Sequence, residues 1–265
     1  MKLYYKIMLN AIQSNTTYRF HTLITSFNQT LNLLVQISLW AALYKGTDLF
    51  SRDTDINLHQ MITYAILSAI ISITVSNGNI WIVSNKVSTG EIAINLIKPI
   101  GLFRATLFEQ LGSKIYSVLF EVTPILLIGI LVFQIKIPSG IYMIIFFLSL
   151  VLSYLVYFLI TFLLGLMSFW YVRVFHLDFV LNQAIRFFSG SWIPLWFFPE
   201  TLYQFSMLLP FELVYFSPIS IFLGKISLLD IPALFYKYFI YIVLLGLLNV
   251  VVWRFGIKRL VIQGG

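Results

Sequence analysis

The sequence predicts an all-α polytopic membrane protein with six transmembrane helices, an N-terminal interface helix and short re-entrant helices before the last span. Of its 265 residues, 60% are hydrophobic and 10% are charged, whereas roughly 25% are charged in soluble globular domains. Residues 137 to 172 contain no charged side chain. This length accommodates about six spans of roughly 20 residues each, so we expect a single transmembrane domain over residues 1–265.

Composition also excludes several kinds of site. The chain has no cysteine, which excludes disulfides, thiolate chemistry and cysteine-ligated metals. The histidines at positions 21, 59 and 176 lie far apart, so we expect no metal site. A net charge of +7 would favour nucleic acid binding in a soluble protein. In a membrane protein the same lysines and arginines set the topology, and we expect no nucleic acid partner.

Six apolar stretches follow an amphipathic N-terminal segment. Residues 1–21 alternate polar and apolar side chains in the way typical of a helix lying along the inner membrane surface, and we expect this segment to be retained because it lacks the features of a secretory signal. The predicted spans cover about residues 22–44, 59–83, 114–133, 141–167, a fifth beginning near 178, and 232–253. The first contains several asparagines and glutamines, so we expect its polar face to pack inside a bundle.

The basic residues are divided unevenly between the two predicted sides of the membrane. If both termini face the cytoplasm, eleven lysines and arginines lie on the inner side and five on the outer side, with Arg186 left in the membrane. Cytoplasmic loops carry an excess of basic residues. This distribution therefore predicts that both termini, and the loop after the second span, are cytoplasmic.

Residues 88–98 form a short amphipathic segment in that loop. Ser88 and Glu91 have the spacing of a capping box, and Pro99 ends the helix because Lys98, directly before it, is disfavoured in the helical conformation. As a helix, this segment would have a polar strip and an opposite apolar face. The polar strip contains Glu91, Asn95 and Lys98, and the apolar face contains Ile92, Ala93, Leu96 and Ile97. About nine residues are too few for an independent helix in water, so the apolar face must dock on lipid or on another protein.

Residues 187–225 are rich in proline and aromatic side chains. Their prolines divide the segment into pieces too short to cross a bilayer alone, which favours re-entrant helices at the outer side. Between residues 187 and 216, eleven of thirty residues are aromatic. We interpret these as an outer-interface belt rather than as a surface that handles an apolar or amphiphilic cargo.

These two segments resemble the corresponding parts of ABC-2-type ABC transporter permeases. The cytoplasmic segment is similar to their coupling helix, and the proline-rich segment is similar to their re-entrant pair in a subgroup of uncharacterised permeases. The matching positions are Gly90, Glu91, Leu96, Lys98 and Pro99 in the first, and Gly190, Pro194, 196–198, Pro199, Pro210, Phe211, Pro218 and Gly224 in the second. With Tyr18 and Arg19 before the first span, the resemblance covers essentially the whole chain.

The resemblance implies the membrane subunit of an ATP-driven exporter in the bacterial cytoplasmic membrane. No P-loop motif occurs in the chain, so the chain itself would not be an ATPase. Two copies of a separate P-loop ATPase would bind ATP and Mg²⁺, and a second permease chain, identical or related, would complete a dimer embedded in membrane lipid. The residues implied in ATPase coupling are Ser88, Gly90, Glu91, Ile92, Leu96, Lys98 and Pro99.

Two questions stay open at this point. The rival function is an ATP-independent secondary transporter or channel, for which midplane charges and two similar halves are expected, and neither is evident in the sequence. Glu121 and Arg186 have equal estimated depths, about 10 Å from the predicted starts of their spans. They either pair with each other, or Glu121 is protonated or faces a wet cleft while Arg186 reaches the inner interface.

Overall fold

Helices make up the regular structure of this computed structural model, and no strand occurs within the described residues, which are 2–17, 19–46, 56–97, 101–171 and 175–259. The α-helices in order are α1 Lys2–Thr17, α2 Arg19–Gly46, α3 Leu58–Val75, α4 Asn79–Ser88, α5 Ile92–Ile97, α6 Leu102–Ser117, α7 Thr123–Leu131, α8 Gly140–Leu166, α9 Phe175–Phe188, α10 Glu200–Met207, α11 Phe216–Phe222 and α12 Ile231–Ile257. A π-helix, Val118–Val122, joins α6 to α7. The predicted all-α class is confirmed.

Four stretches among the described residues are long and apolar enough to cross a membrane. They are Leu58–Ser88, Leu102–Leu131, Gly140–Phe169 and Ile231–Ile257, each of 27 to 31 residues. The predicted start of the third span at Lys114 is wrong, because its helix begins twelve residues earlier, at Leu102. Helix α2 has 28 residues but is more polar, and α9 has only 14. The structure thus supports four of the six predicted spans.

Helix α8 lies at the centre of the bundle and packs against α3, α4, α11 and α12. Its middle and C-terminal half contribute wholly buried side chains, among them Val156 and Phe158. The ring of Phe103 on α6 packs edge-on against Phe158 and Phe162. Because α8 contacts both the α3–α4 stretch and the last helix, any movement of these elements relative to each other must involve it.

The N-terminal helix α1 packs along α6. The rings of Tyr4 and Phe108 stack with their centroids 4.6 Å apart, and Ala11 is buried. The structure ends α1 at Thr17, four residues before the predicted limit of the interface helix, and α2 begins at Arg19. The N-terminal helix is therefore a separate element held by its own packing.

The α3–α4 stretch is interrupted between Ser76 and Gly78. The Asn77 carboxamide oxygen accepts a hydrogen bond from the Thr161 hydroxyl at 2.9 Å, and the Lys114 amine donates to the carbonyl of Ile73, in the last turn of α3, at 2.7 Å. Non-helical backbone at membrane depth is tolerated where protein groups satisfy it. At 1.5 Å per residue the break lies about 27 Å from Leu58 and about 15 Å from the far end of α4.

Candidate functional site

The connection between α4 and α6, residues 88–97, contains most of the predicted coupling residues. Ser88 is the last residue of α4, and its hydroxyl donates to the Asn85 carbonyl at 3.1 Å. The predicted capping box with Glu91 is therefore wrong. Gly90 has a φ of +76°, the left-handed conformation that glycine adopts after helix C-termini. The predicted helix 88–98 is consequently interrupted. Ser88 ends α4, residues 89–91 form a turn, and α5 covers Ile92–Ile97.

Ile92, the first residue of α5, faces the bundle rather than a partner. Its side chain is 0% exposed and belongs to a cluster with Val83, Leu102, Phe158, Phe162 and Leu166. This corrects the prediction that Ile92 belongs to a face docking on another protein. The side chain of Ile94 is 51% exposed, and Glu91 is exposed as well. Among the described side chains of the connection, the exposed ones are Ser88, Thr89, Glu91 and Ile94.

The remaining coupling residues differ in how far the structure describes them. Leu96 lies in α5. Lys98 and Pro99 lie outside the described residues. The predicted role of these three residues stays a prediction.

The segment 187–225 is built from short helices and turns, as its prolines predicted. Gly190 has a φ of +78° in the turn after α9, Pro194 and Pro199 directly precede the short helices Leu195–Phe197 and α10, Pro210 lies in the turn after α10, and Pro218 is in the first turn of α11. Helices α10 and α11 have eight and seven residues, about 12 and 10 Å. Neither is long enough to cross a membrane.

Side chains of the surrounding helices satisfy the carbonyl groups of this segment. The Lys237 amine on α12 donates to the carbonyl of Met207 at 2.6 Å. The hydroxyls of Tyr238, on α12, and Ser153, on α8, donate to the carbonyl of Leu213 at 2.6 and 2.7 Å. An irregular backbone surrounded by apolar helices needs such partners, so these contacts hold the segment against α8 and α12.

A buried ion pair strengthens the same attachment. The side chain of Glu212 is 0% exposed, and its Oε1 lies 2.6 Å from Nζ of Lys237. The Ser217 hydroxyl donates to the second oxygen of the same carboxylate. A buried charge is tolerated when it is paired and hydrogen-bonded, and here both conditions are met.

Pairing of Glu121 with Arg186 was one of the two alternatives that the sequence left open, and no such pair occurs among the described residues. Among the residues that the structure describes, the ion pairs join Lys86 to Glu109 and Lys237 to Glu212. Glu121 lies in the π-helix, accepts a long hydrogen bond of 3.5 Å from the Gln29 amide and is close enough to Lys114 for their charges to attract. The equal-depth argument failed because α6 begins at Leu102, which places Glu121 nineteen residues into its helical stretch.

Arg186 instead lines a cavity of about 310 Å³ beside the break in the α3–α4 stretch. Helices α3, α8 and α9 and the turn before α11 form its walls. The lining residues are Ser72, Ser76, Asn77, Tyr157, Asp178, Phe179, Asn182, Gln183, Ile185, Arg186 and Tyr215. Polar groups therefore surround a space at the level of the interrupted backbone.

Sequence reasoning missed two features of this region. Glu212 and Lys237 were not identified as partners, although an acid in an apolar, proline-rich segment and a lysine inside a span are each unusual enough to require one. The polar residues Ser76, Asn77 and Asn79 signalled the break, but the sequence was interpreted as one continuous second span over about residues 59–83. Their hydrogen bonds to Thr161 now explain them.

No group of three or more histidine, cysteine, aspartate or glutamate side chains that could hold a metal ion occurs in the part of the chain that the structure describes. Polar groups of the connection and of the segment 187–225 are engaged at helix ends, with carbonyls and in a charge pair, whereas the cavity contains the Asn77 carboxamide nitrogen without a hydrogen-bond partner. The arrangement is that of a helical protein with a broken candidate span, a cavity beside the break and two irregular connections, at residues 88–97 and 187–225.

Comparison with known families identifies the chain. The model of the ABC-2 family transporter proteins matches residues 30–264, which include every helix from α3 onward and all the residues of the connection, the cavity and the segment 187–225. Comparisons with curated proteins and with solved structures gave no significant match. Proteins of this family are membrane subunits of transporters and have no ATPase site of their own. The chain belongs to the ABC-2 family of transporter membrane subunits.

Proposed function

We propose that the chain is the permease subunit of an ATP-driven exporter, and that the connection at residues 88–97 is the contact for a separate P-loop ATPase. The observation that carries the proposal is the two-sided character of this connection. Ile92 anchors it among side chains of α4, α6 and α8, while Ile94 is half exposed on the other side. A protein bound at Ile94 would therefore push on a segment packed against the central helix.

The proposed complex has two permease chains, identical or related, and two ATPase subunits that bind ATP and Mg²⁺. In each permease α2 and α9 supply the predicted first and fifth spans in addition to the four candidate spans. Both termini face the cytoplasm of a bacterium, as the excess of basic residues on that side favours. Closure of the ATPases would move the connections, and rigid-body motion of the spans would release cargo taken from the cytoplasm or the inner leaflet. The segment 88–98 would lie in the cytoplasm and 187–225 at the outer side.

Copurification tests the proposal directly. A tagged chain expressed in its native host and purified in mild detergent should bring down a P-loop ATPase in an amount comparable to its own, as judged by mass spectrometry of the purified material. A preparation that transports without any ATPase would support the rival function, a channel or secondary transporter. The same experiment, with two differently tagged copies, shows whether two identical permeases associate.

A further inference from the structure

An arginine, Arg186, lines the cavity beside the broken α3–α4 stretch. Among the described residues, none lies within ion-pairing distance of the Arg186 guanidinium and none accepts a hydrogen bond from it. The other intramembrane cations are occupied, since Lys237 pairs with Glu212 and Lys114 donates to the Ile73 carbonyl. Arg186 is exposed and lines the cavity, so a ligand that enters the cavity can reach its guanidinium.

The groups near Arg186 are mostly hydrogen-bond donors. The hydroxyls of Tyr157 and Tyr215 lie close enough to the guanidinium to feel its charge. The Asn77 carboxamide nitrogen is buried without a hydrogen-bond partner, and the hydroxyl of Ser72 lines the same space. Buried donors are normally satisfied, but Tyr157 already donates to Asn182 and the Tyr215 hydroxyl is hydrogen-bonded with Ser72. The Asn77 nitrogen and the Arg186 guanidinium are therefore the donors that an anionic ligand would meet.

The single carboxylate of the cavity is already engaged. Asp178 lies two turns before Arg186 on α9, about 12 Å along the helix, and its Oδ1 accepts a hydrogen bond from the Asn182 amide at 2.7 Å. The Asn182 oxygen in turn accepts one from Tyr157 at 2.9 Å. Asp178 therefore does not neutralise the arginine, and the two ends of the cavity differ in charge.

The size of the cavity and its apolar rim suggest what kind of anion it takes. Small-molecule sites have volumes of roughly 300–1,000 Å³, so about 310 Å³ suits a head group rather than a whole amphiphile. Phe179 and Val180, on the adjoining surface of α9, are 64% and 63% exposed. An apolar tail would lie against them while the head group occupied the cavity.

We propose that this cavity binds the phosphate or carboxylate group of an anionic amphiphile through Arg186. Binding itself requires no ATPase, whereas a role for the amphiphile as cargo rests on the proposed exporter function. Charge-assisted hydrogen bonds are the strongest of those available to a guanidinium, and their bidentate geometry suits phosphate and carboxylate.

The test uses the full-length chain in phosphatidylcholine nanodiscs and octyl phosphate as the probe. Thermal stability is measured as the probe concentration rises, because a ligand that binds only the folded state raises the Tm in a saturable way. We expect octyl phosphate to raise the Tm and octanol to leave it unchanged. Arg186→Gln should weaken octyl phosphate binding at least about tenfold, while Arg254→Gln, the same change at an exposed arginine outside the cavity, should not.

Equal binding by Arg186→Gln and the unaltered chain would overturn the proposal. If that variant does not fold, the unaltered chain still tests the proposal, because equal rises in its Tm with octanol and with octyl phosphate would also overturn the proposal. Native mass spectrometry in nanodiscs containing phosphatidylglycerol identifies the source of the anion: Arg186-dependent retention indicates a bilayer lipid, and retention of octyl phosphate alone indicates a single-chain amphiphile. ATPase copurification by Arg186→Gln should be unchanged, which separates this test from that of the exporter function.

Discussion

Lys237→Met is expected to destabilise the protein by about 3 to 5 kcal/mol, because it leaves the Glu212 carboxylate buried without its cation. Glu212 is 0% exposed and has Ser217 as its other side-chain partner. The carbonyl of Met207 would lose its hydrogen bond from Lys237 in the same change. Thermal unfolding in detergent measures the effect, and Lys136→Met, the same substitution at an exposed lysine, should change stability by less than about 0.5 kcal/mol.

The double variant Glu212→Gln with Lys237→Met separates the ion pair from simple packing. A neutral carboxamide at position 212 needs no cation, so the cost of Lys237→Met should fall by at least about 1 kcal/mol in this background. If the losses in unfolding free energy of the two single variants simply add in the double variant, the ion pair does not hold the segment 187–225 against α12. The carbonyl contacts of Tyr238 and Ser153 would then have to account for its attachment.

Ile94→Asp is expected to release the ATPase from the purified complex. Burying an isoleucine side chain against a partner stabilises a contact by roughly 1.5 to 3 kcal/mol, and an aspartate in its place would add the unfavourable desolvation of a carboxylate. Together these effects should lower ATPase retention at least about tenfold. Quantitative mass spectrometry of the copurified ATPase measures the ratio.

The matched control for this variant is Ile137→Asp. Ile137 is 61% exposed and lies in the loop before α8, at the opposite end of the Leu102–Leu131 span. Full ATPase retention by both variants would show that the connection does not bind the ATPase through Ile94. Ile92→Asp is a poor test, because Ile92 is wholly buried and a charge there would disrupt the chain's own packing.

The sequence predicted those features of the fold that depend on composition and on local signals. Long apolar runs identified the four supported spans, and the prolines at 194, 199, 210 and 218 predicted that no long helix forms before the last span. Proline acts locally, through its fixed φ and its missing N–H group, so its effect could be anticipated without knowing the tertiary structure. The separate N-terminal helix followed from its own amphipathic pattern.

Features that depend on tertiary contacts were not predicted correctly. Glu212 and Lys237 are 25 residues apart, and nothing in their spacing indicates that the turn after α10 approaches α12. The equal depths estimated for Glu121 and Arg186 were counted from a span start, at Lys114, that lies twelve residues after the start of its helix at Leu102. In the connection, the turn at Gly90, which has a positive φ, is followed by a helix that starts at Ile92. Ile92 is buried, and Ile94 is the exposed isoleucine among the described side chains there.

Site-specific cross-linking at position 94 tests the central claim, that the connection between α4 and α6 contacts an ATPase in the cytoplasm. The chain contains no cysteine, so Ile94→Cys introduces a single thiol, with Ile137→Cys as the control. In membranes that contain the complex, a thiol–amine cross-linker should join Ile94→Cys to the ATPase and leave Ile137→Cys without an ATPase adduct. Labelling of Ile94→Cys by an impermeant thiol reagent from outside intact cells, or no ATPase adduct at that position, would contradict the account.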